Sequence, residues 1–258
     1  MTLPRELAAR LIEAGDRVAY VDPPSRDIDG FGIDDAYVIG AEVRAMRVAA
    51  GWRPIGYKLG FTNESAWQAA GLDSPFWSTV YDATVTTERR VDVGGMVEPR
   101  IEPEVVVGLG ADLPRNARLD EVADAIAWVA FGLEIVQCHY RGWMMTPADA
   151  LADGGLHAAL LIGERRPFTA SEAVALSELP VELRRFDEVQ HRGVGANALG
   201  GPVAAVAWMT KLPQAPVLWS GDVVTTGSLT AAPPLTVGER WSLVGAGDLG
   251  LAPVYADT

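Results

Sequence analysis

A single cysteine in 258 residues, Cys138, excludes an intrachain disulfide and fits a reducing compartment. Histidine is also scarce: His139, His157 and His191 are the only three, and none joins the cysteine at a zinc-binding spacing. No basic run or aromatic-basic stripe interrupts a formal net charge of −13, which argues against a nucleic-acid surface and favours small-molecule partners. No apolar run approaches membrane-spanning length. The N-terminal Met1-Thr-Leu-Pro-Arg-Glu-Leu-Ala-Ala-Arg-Leu11 interleaves acid and base as an amphipathic helix does, unlike a signal peptide. The expectation is a cytoplasmic protein without membrane contact. Internal repeats and low-complexity tracts are absent as well, and a hydrophobic content of 49% supports one substantial core.

Against this background two groups of acids stand out. In Pro99-Arg-Ile-Glu-Pro-Glu-Val-Val-Val107, Glu102 and Glu104 interrupt what otherwise reads as a buried strand. Alternate strand residues share a face, so the two carboxylates converge, and like charges that close demand a positive partner. In Val129-Ala-Phe-Gly-Leu-Glu-Ile-Val136, Glu134 stands alone among apolar neighbours, where an uncompensated carboxylate is costly. Three acids from two strands suit Mg²⁺ or Mn²⁺, which prefer hard oxygen ligands. The other arrangement open to these residues sets Glu102 and Glu104 on the wet face of an edge strand and pairs Glu134 with an arginine.

Leu3, Leu7 and Leu11 recur at helical spacing, and residues 33–50 predict a second helix ending before Gly51. Strands are expected at 55–61, 98–108, 129–136, 158–163, 217–229 and 241–244. Leu119, Val122, Ile126 and Val129 predict a helix between them, and Pro202 opens another over 203–212. Helices come first and strands later, an α+β order without the regular alternation of a doubly wound sheet. Cys138 and His139 would be adjacent strand residues facing opposite ways, so packing explains them best. Gly245-Ala-Gly-Asp-Leu-Gly250 matches a dinucleotide fingerprint, yet too little chain follows for the helix and strand that motif needs, so a hairpin turn is expected. Asn63-Glu-Ser65 matches a glycosylation acceptor, which carries no weight without a secretory signal.

Several motifs in order resemble the 2-keto-4-pentenoate hydratase and 4-oxalocrotonate decarboxylase branch of the fumarylacetoacetate hydrolase superfamily. They are Asp34-Asp-Ala-Tyr37, Gly56-Tyr-Lys-Leu-Gly-Phe-Thr62, the Pro-Arg-Ile-Glu-Pro-Glu segment, Leu133-Glu-Ile-Val136, Ala152-Asp153, Leu199-Gly-Gly-Pro202 and Gly221-Asp-Val-Val-Thr-Thr-Gly-Ser228. The resemblance implies a mixed β-roll core, residues 53–258, with a helical N-terminal portion, residues 1–52. It also implies a divalent metal held by Glu102, Glu104 and Glu134, the trio already singled out by their setting. Lys58 would assist proton transfer or charge stabilisation, provided burial and the metal lower its pKa towards neutrality. Asp153 would support the site, and Thr62 and Thr226 would lie near the substrate. Self-association is implied, and members of this branch often assemble with a sister enzyme.

The departures from the pattern are informative. Where the family reads G-V-x-E-P-D-F-G, this chain reads Gly71-Leu-Asp-Ser-Pro-Phe-Trp-Ser78, placing Phe76 at the position of an entrance acid. Phe76 and Trp77 would then line a pocket suited to a more apolar substrate tail. Gly154-Gly-Leu-His157 replaces small polar residues, and His157, with an ordinary pKa near 6.5, is a candidate substitute proton carrier or else a structural histidine. His191, in Gln190-His-Arg192, reads as solvated. The expected activity is a metal-dependent lyase acting on a 2-keto or 2-enol carboxylic acid, by hydration of a 2-hydroxy-2,4-dienoate or decarboxylation of a vinylogous 2-keto diacid. The alternatives are an acylpyruvate C–C hydrolase, disfavoured by the lack of a Glu-His pair in the N-terminal half, and a non-catalytic keto-acid binder or assembly partner.

Overall fold

Alternation along two long strands sets the architecture. In the computed structural model, which describes residues 3–245 and 250–258, β5 (Arg100–Leu109) runs antiparallel to β6 (Ile126–Val136), with Glu102 opposite Glu134 and Glu104 opposite Gly132. One face of the pair carries Ile101, Val105 and Val107 with Phe131, Leu133 and Ile135, all in the main core. The other face carries the acids at one end and Val106 and Ala130, part of a small apolar group, at the other. Period-two alternation thus separates a fully apolar face from one that mixes charge with hydrocarbon.

Around this pair an eight-stranded sheet curls into a half-barrel. Its order is β2 (Phe76–Tyr81), β1 (Pro54–Gly60), β11 (Val223–Thr225), β5, β6, β7 (His157–Ile162) and β3 (Val85–Thr86), with β8 (Arg166–Pro167) also on β6. A second sheet orders β10 (Glu188–Val194), β9 (Pro180–Arg185), β12 (Arg240–Gly245), β13 (Gly250–Asp257) and β4 (Arg90–Asp92). Most pairings are antiparallel, but β1 runs parallel to β11, setting Lys58 beside Thr225. That pairing depends on Gly56, because a Cβ there would lie 1.8 Å from the Val223 carbonyl oxygen.

The apolar face is covered by α5 (Leu119–Ala125) and α8 (Pro202–Lys211), which bring Val122, Val206 and Met209 into the core. At the opposite side α1 (Leu3–Asp16), α2 (Pro24–Asp27) and α3 (Ile33–Ala49) gather with α6 (Pro147–Ala152) around Leu11, Ile39, Phe76, Tyr140 and Leu151. The buried Asp149 carboxylate ties these helices together. It accepts from Ser25 N (2.8 Å) and Oγ (2.6 Å) and from Thr146 N (2.9 Å) and Oγ1 (2.7 Å). The short α4 (Trp67–Ala70) and α7 (Ala173–Glu178) complete the helices of the described residues.

The mixed sheets match the expected α+β class, with local corrections. The helix expected to reach Val129 ends at Ala125, and β6 starts at Ile126, because the next residues must extend to pair with β5. The strand expected over 217–229 narrows to Val223–Thr225, the length that fits between β1 and β5. Cys138 and His139 lie beyond the end of β6, not within it. The polar strands β9 and β10 escaped the sequence reading. Residues 246–249, where a hairpin turn is expected, lie outside the described residues; Val244 and Gly250 on either side of them pair antiparallel. Asn63 serves as a cap, its side chain accepting from Ser65 N at 3.1 Å.

Candidate active site

Glu102, Glu104 and Glu134 each offer a carboxylate oxygen within 4.8 Å of the others. Strand register makes this meeting: Glu102 and Glu104 share a face of β5, and Glu134 stands across from Glu102. Glu104 Oε2 accepts the Gly227 N–H at 2.8 Å and the Thr225 hydroxyl, while its buried Oε1 has no partner. Glu134 Oε1 accepts from His157 Nδ1 at 2.8 Å, and its Oε2 faces Lys58 Nζ at 3.3 Å as an ion pair, without hydrogen-bond geometry. Two buried carboxylate oxygens are therefore left with lone pairs unsatisfied, an expensive state that a hard divalent cation relieves. Donor type, number and spacing all fit such an ion.

The electrostatics agree with a site short of positive charge. Burial pushes Glu102 up to about 7, against the opposing pull of Lys58. Burial and the charges of Glu134 and Glu102 push Glu104 well above the usual carboxylate range. Burial acts on Glu134 too, but Lys58 and His157 outweigh it and hold that carboxyl low. One acid stays ionised while the other two favour a proton, or a cation in its place.

Lys58 is 3% exposed and donates to the Gly155 carbonyl at 3.0 Å. Burial alone would depress its pKa, as expected for a general base, yet the charges of Glu134, Glu102 and Glu104 outweigh burial and raise it. Without metal the lysine is thus held above its usual range, and the lowered pKa expected of it depends on the cation. Gly155 presents its carbonyl from a left-handed conformation, φ +67°, and a Cβ there would lie 3.0 Å from both Lys58 Cδ and Ser78 Cβ.

Of these groups Lys58, Glu102 and Gly155 line a cleft of ≈ 870 Å³, together with Thr62, Phe76 and Arg100, while Glu104 and Glu134 are buried behind it. Thr62 and Phe76, expected near the substrate, line this cleft. Trp77 does not, because adjacent strand residues face opposite ways. Its ring packs on Tyr37 and Tyr57, with Nε1 donating to Gln214 O at 2.9 Å. Thr226 turns away likewise and donates to Val105 O at 2.8 Å. Its neighbour Thr225, which the sequence reading missed together with the Gly227 N–H, is the threonine that touches a site carboxylate.

His157 and Asp153 also differ from expectation. His157 Nε2 lies 2.8 Å from Thr84 Oγ1, so both ring nitrogens are engaged and the ring stands behind Glu134, outside the cleft lining. The ring is placed to orient that carboxylate and does not reach the cleft. Asp153 pairs with His139 Nδ1 at 2.8 Å, away from the cleft, and its backbone carbonyl accepts from Leu156 N at 3.0 Å. It braces the turn that carries Gly155. His191 is partly buried on β10 and does not line the cleft.

The model of the fumarylacetoacetate (FAA) hydrolase C-terminal family matches residues 38–250, a span containing every residue of this cluster. The chain belongs to that family. Among curated proteins, 2-keto-4-pentenoate hydratase 1 of Dechloromonas aromatica (strain RCB) is 28% identical over 246 residues, covering 93% of each chain. A 4-oxalocrotonate decarboxylase of a Pseudomonas species is 28% identical over 215 residues, covering 80% of this chain and 82% of the other. Among solved structures, 4-oxalocrotonate decarboxylase from Pseudomonas putida G7, complexed with magnesium and adipate, superposes with a TM-score of 0.90 at 26% identity, covering 98% of this chain and 96% of that one. The same enzyme is also known complexed with calcium and acetate. Membership in the family accounts for the curled sheet, and no helix among the described residues is long and apolar enough to cross a membrane.

Proposed function

We propose that the chain is a divalent-metal-dependent lyase of 2-keto or 2-enol carboxylic acids, acting by hydration of a 2-hydroxy-2,4-dienoate or by decarboxylation of a vinylogous 2-keto diacid. The observation that carries this reading is the trio Glu102, Glu104 and Glu134, with two unsatisfied buried oxygens and a buried lysine beside it. The hydratase and decarboxylase relatives, and the magnesium and calcium complexes of one of them, support it.

In this reading the three glutamates would hold Mg²⁺ or Mn²⁺, which would supply a Lewis acid for negative charge developing on the 2-oxygen of the substrate. Lys58 Nζ, fixed by Gly155 O, is the proton donor and acceptor at the cleft floor. His157 fixes the Glu134 carboxylate, and Thr225 with Gly227 N–H fixes Glu104, so the ligand oxygens keep one orientation. Phe61 and Phe76 form an apolar wall that limits water near the carbon chain. Residues 1–52 and 53–258 act as one unit, because Phe76 of the cleft packs in the same cluster as Leu7 and Ile39.

Calorimetric titration with Mg²⁺, with and without oxalate as a mimic of a pyruvate enolate, tests the reading. Oxalate binding that needs both the metal and Glu102 is the expected result. An intact protein that binds no metal, or turnover of a 2-hydroxy-2,4-dienoate that survives chelation, would overturn it.

A further inference from the structure

His139 is 4% exposed, and only one of its ring nitrogens is engaged. Nδ1 meets both oxygens of the Asp153 carboxylate, at 2.8 and 3.0 Å, the arrangement of one N–H shared by a carboxylate. The proton thus sits on Nδ1, and Nε2 presents a lone pair. Nε2 has no hydrogen-bond partner, a costly condition for a buried acceptor. It faces α1 at Gly15, where a Cβ would lie 3.6 Å away, and His139 and Gly15 both line a second cavity of ≈ 140 Å³.

This cavity is walled by α1 and α3 on one side and by β2 and β7 on the other. Among the described residues, Leu156 is the one lining residue that it shares with the cleft, so the two are separate spaces. Leu11, Ile12, Val43 and Trp52 make much of its wall apolar. Arg47 also lines it, but that charge is already met: Nη1 pairs with Asp16 at 3.1 Å, and the guanidinium lies 4.3 Å over the Trp52 ring. Gly40, another lining residue, stands midway along α3, where glycine weakens a helix. A Cβ there would meet nothing within 4 Å. No neighbouring side chain requires glycine at that place, whereas room for an occupant of the cavity does.

We propose that this cavity binds a small uncharged molecule, largely hydrocarbon, that donates a hydroxyl to His139 Nε2. Phenol is of the right size, since a cavity of about 150 Å³ is enough for benzene. An anion does not suit the site, because the Nε2 lone pair repels it, the Asp153 carboxylate stands behind the ring and Arg47 is taken by Asp16. The site depends on neither the metal nor the lyase reading. It lies close to both all the same: His157 lines the cavity while its Nδ1 holds Glu134 Oε1, so one side chain separates an occupant from the acid trio.

Calorimetry on the full chain, with phenol, toluene and benzoate as probes, tests the proposal. Phenol and toluene share nearly the same shape and differ in the donor. Phenol is expected to bind about 10-fold more tightly than toluene, the effect of satisfying a buried acceptor, and benzoate most weakly. His139→Phe is expected to erase that preference. Because this change also deprives Asp153 of its partner, Gly40→Leu supplies a second reading: leucine favours the helix and its side chain fills the cavity, so Tm should hold or rise while phenol binding falls at least about 10-fold. Absence of phenol binding, which would leave water as the partner of Nε2, would overturn the proposal. So would equal affinity for phenol and toluene, tightest binding of benzoate, or a preference for phenol that survives His139→Phe. A Gly40→Leu protein that melts earlier, or that binds phenol as the wild type does, would overturn it as well.

Discussion

Lys58 Nζ stands 3.3 Å from Glu134 Oε2, and both side chains are withdrawn from solvent. Breaking such a pair from one side leaves a buried charge uncompensated, at a cost of about 3–5 kcal/mol. Lys58→Met should therefore lower the stability of the metal-free protein by about 3 kcal/mol in urea unfolding. Mg²⁺ should restore much of that loss, while turnover stays at least about 100-fold below wild type for want of a proton carrier. Loss of metal binding together with turnover would instead make Lys58 a structural residue.

The acids predict an unusual pH profile. Glu102 at about 7, and Glu104 above the usual range, bind protons more tightly folded than unfolded, where the ordinary value is 4.5. Their stabilisation is complete below that value and is lost as pH rises through the folded pKa. Glu134 runs the opposite way: its depressed pKa gives a contribution lost only as pH falls through the folded value. Between pH 5 and 8 the metal-free protein should lose thermal stability. Mg²⁺ should raise Tm more at pH 8 than at pH 5.5, since carboxylates bind metal only when deprotonated. Scanning calorimetry with and without chelator would show both trends, and a flat profile would contradict them.

His157 acts on the site through Glu134. His157→Ala should weaken Mg²⁺ binding by about 10- to 100-fold, the usual effect of removing a group that orients a metal ligand. His157→Asn, which keeps a donor near the Nδ1 position, should recover part of the loss. Equal defects in the two variants would point to packing instead of orientation.

Gly155 couples backbone shape to the lysine. Gly155→Ala places a Cβ 3.0 Å from Lys58 Cδ at φ +67°, so strain of about 1–2 kcal/mol and a displaced Nζ are expected. The readout is a fall in kcat with Mg²⁺ affinity unchanged; an unaltered kcat would show that the carbonyl does not position the lysine.

The acid trio was legible because carboxylates at alternate positions of an apolar strand are chemically conspicuous, and the family resemblance fixed the curled fold around them. Register was harder to read. Phe76 and Trp77 cannot both face the cleft from one strand, and alternation alone could have separated them. For Thr225 and Thr226 the sequence held no such cue, because the facing of β11 is set by its neighbours β1 and β5. Asp153 and His157 were found as polar residues near the site, but their work is done on Gly155 and Glu134, which only the tertiary structure reveals. His139 reads in sequence as a packing residue, and the cavity that its Nε2 faces is walled by α1 and α3, far from it along the chain.

Because β11 lies between β1 and β5, the lysine-bearing strand has no direct hydrogen-bonded route to the strand that carries two of the acids. A ribosome releases residues 54–60 early and residues 223–225 late, so the nascent chain carries its acids and its lysine for most of synthesis without the strand that joins them. The candidate site is thus closed by a strand made late in synthesis, and a chain interrupted before Val223 would have the acids and the lysine without the strand that joins β1 to β5.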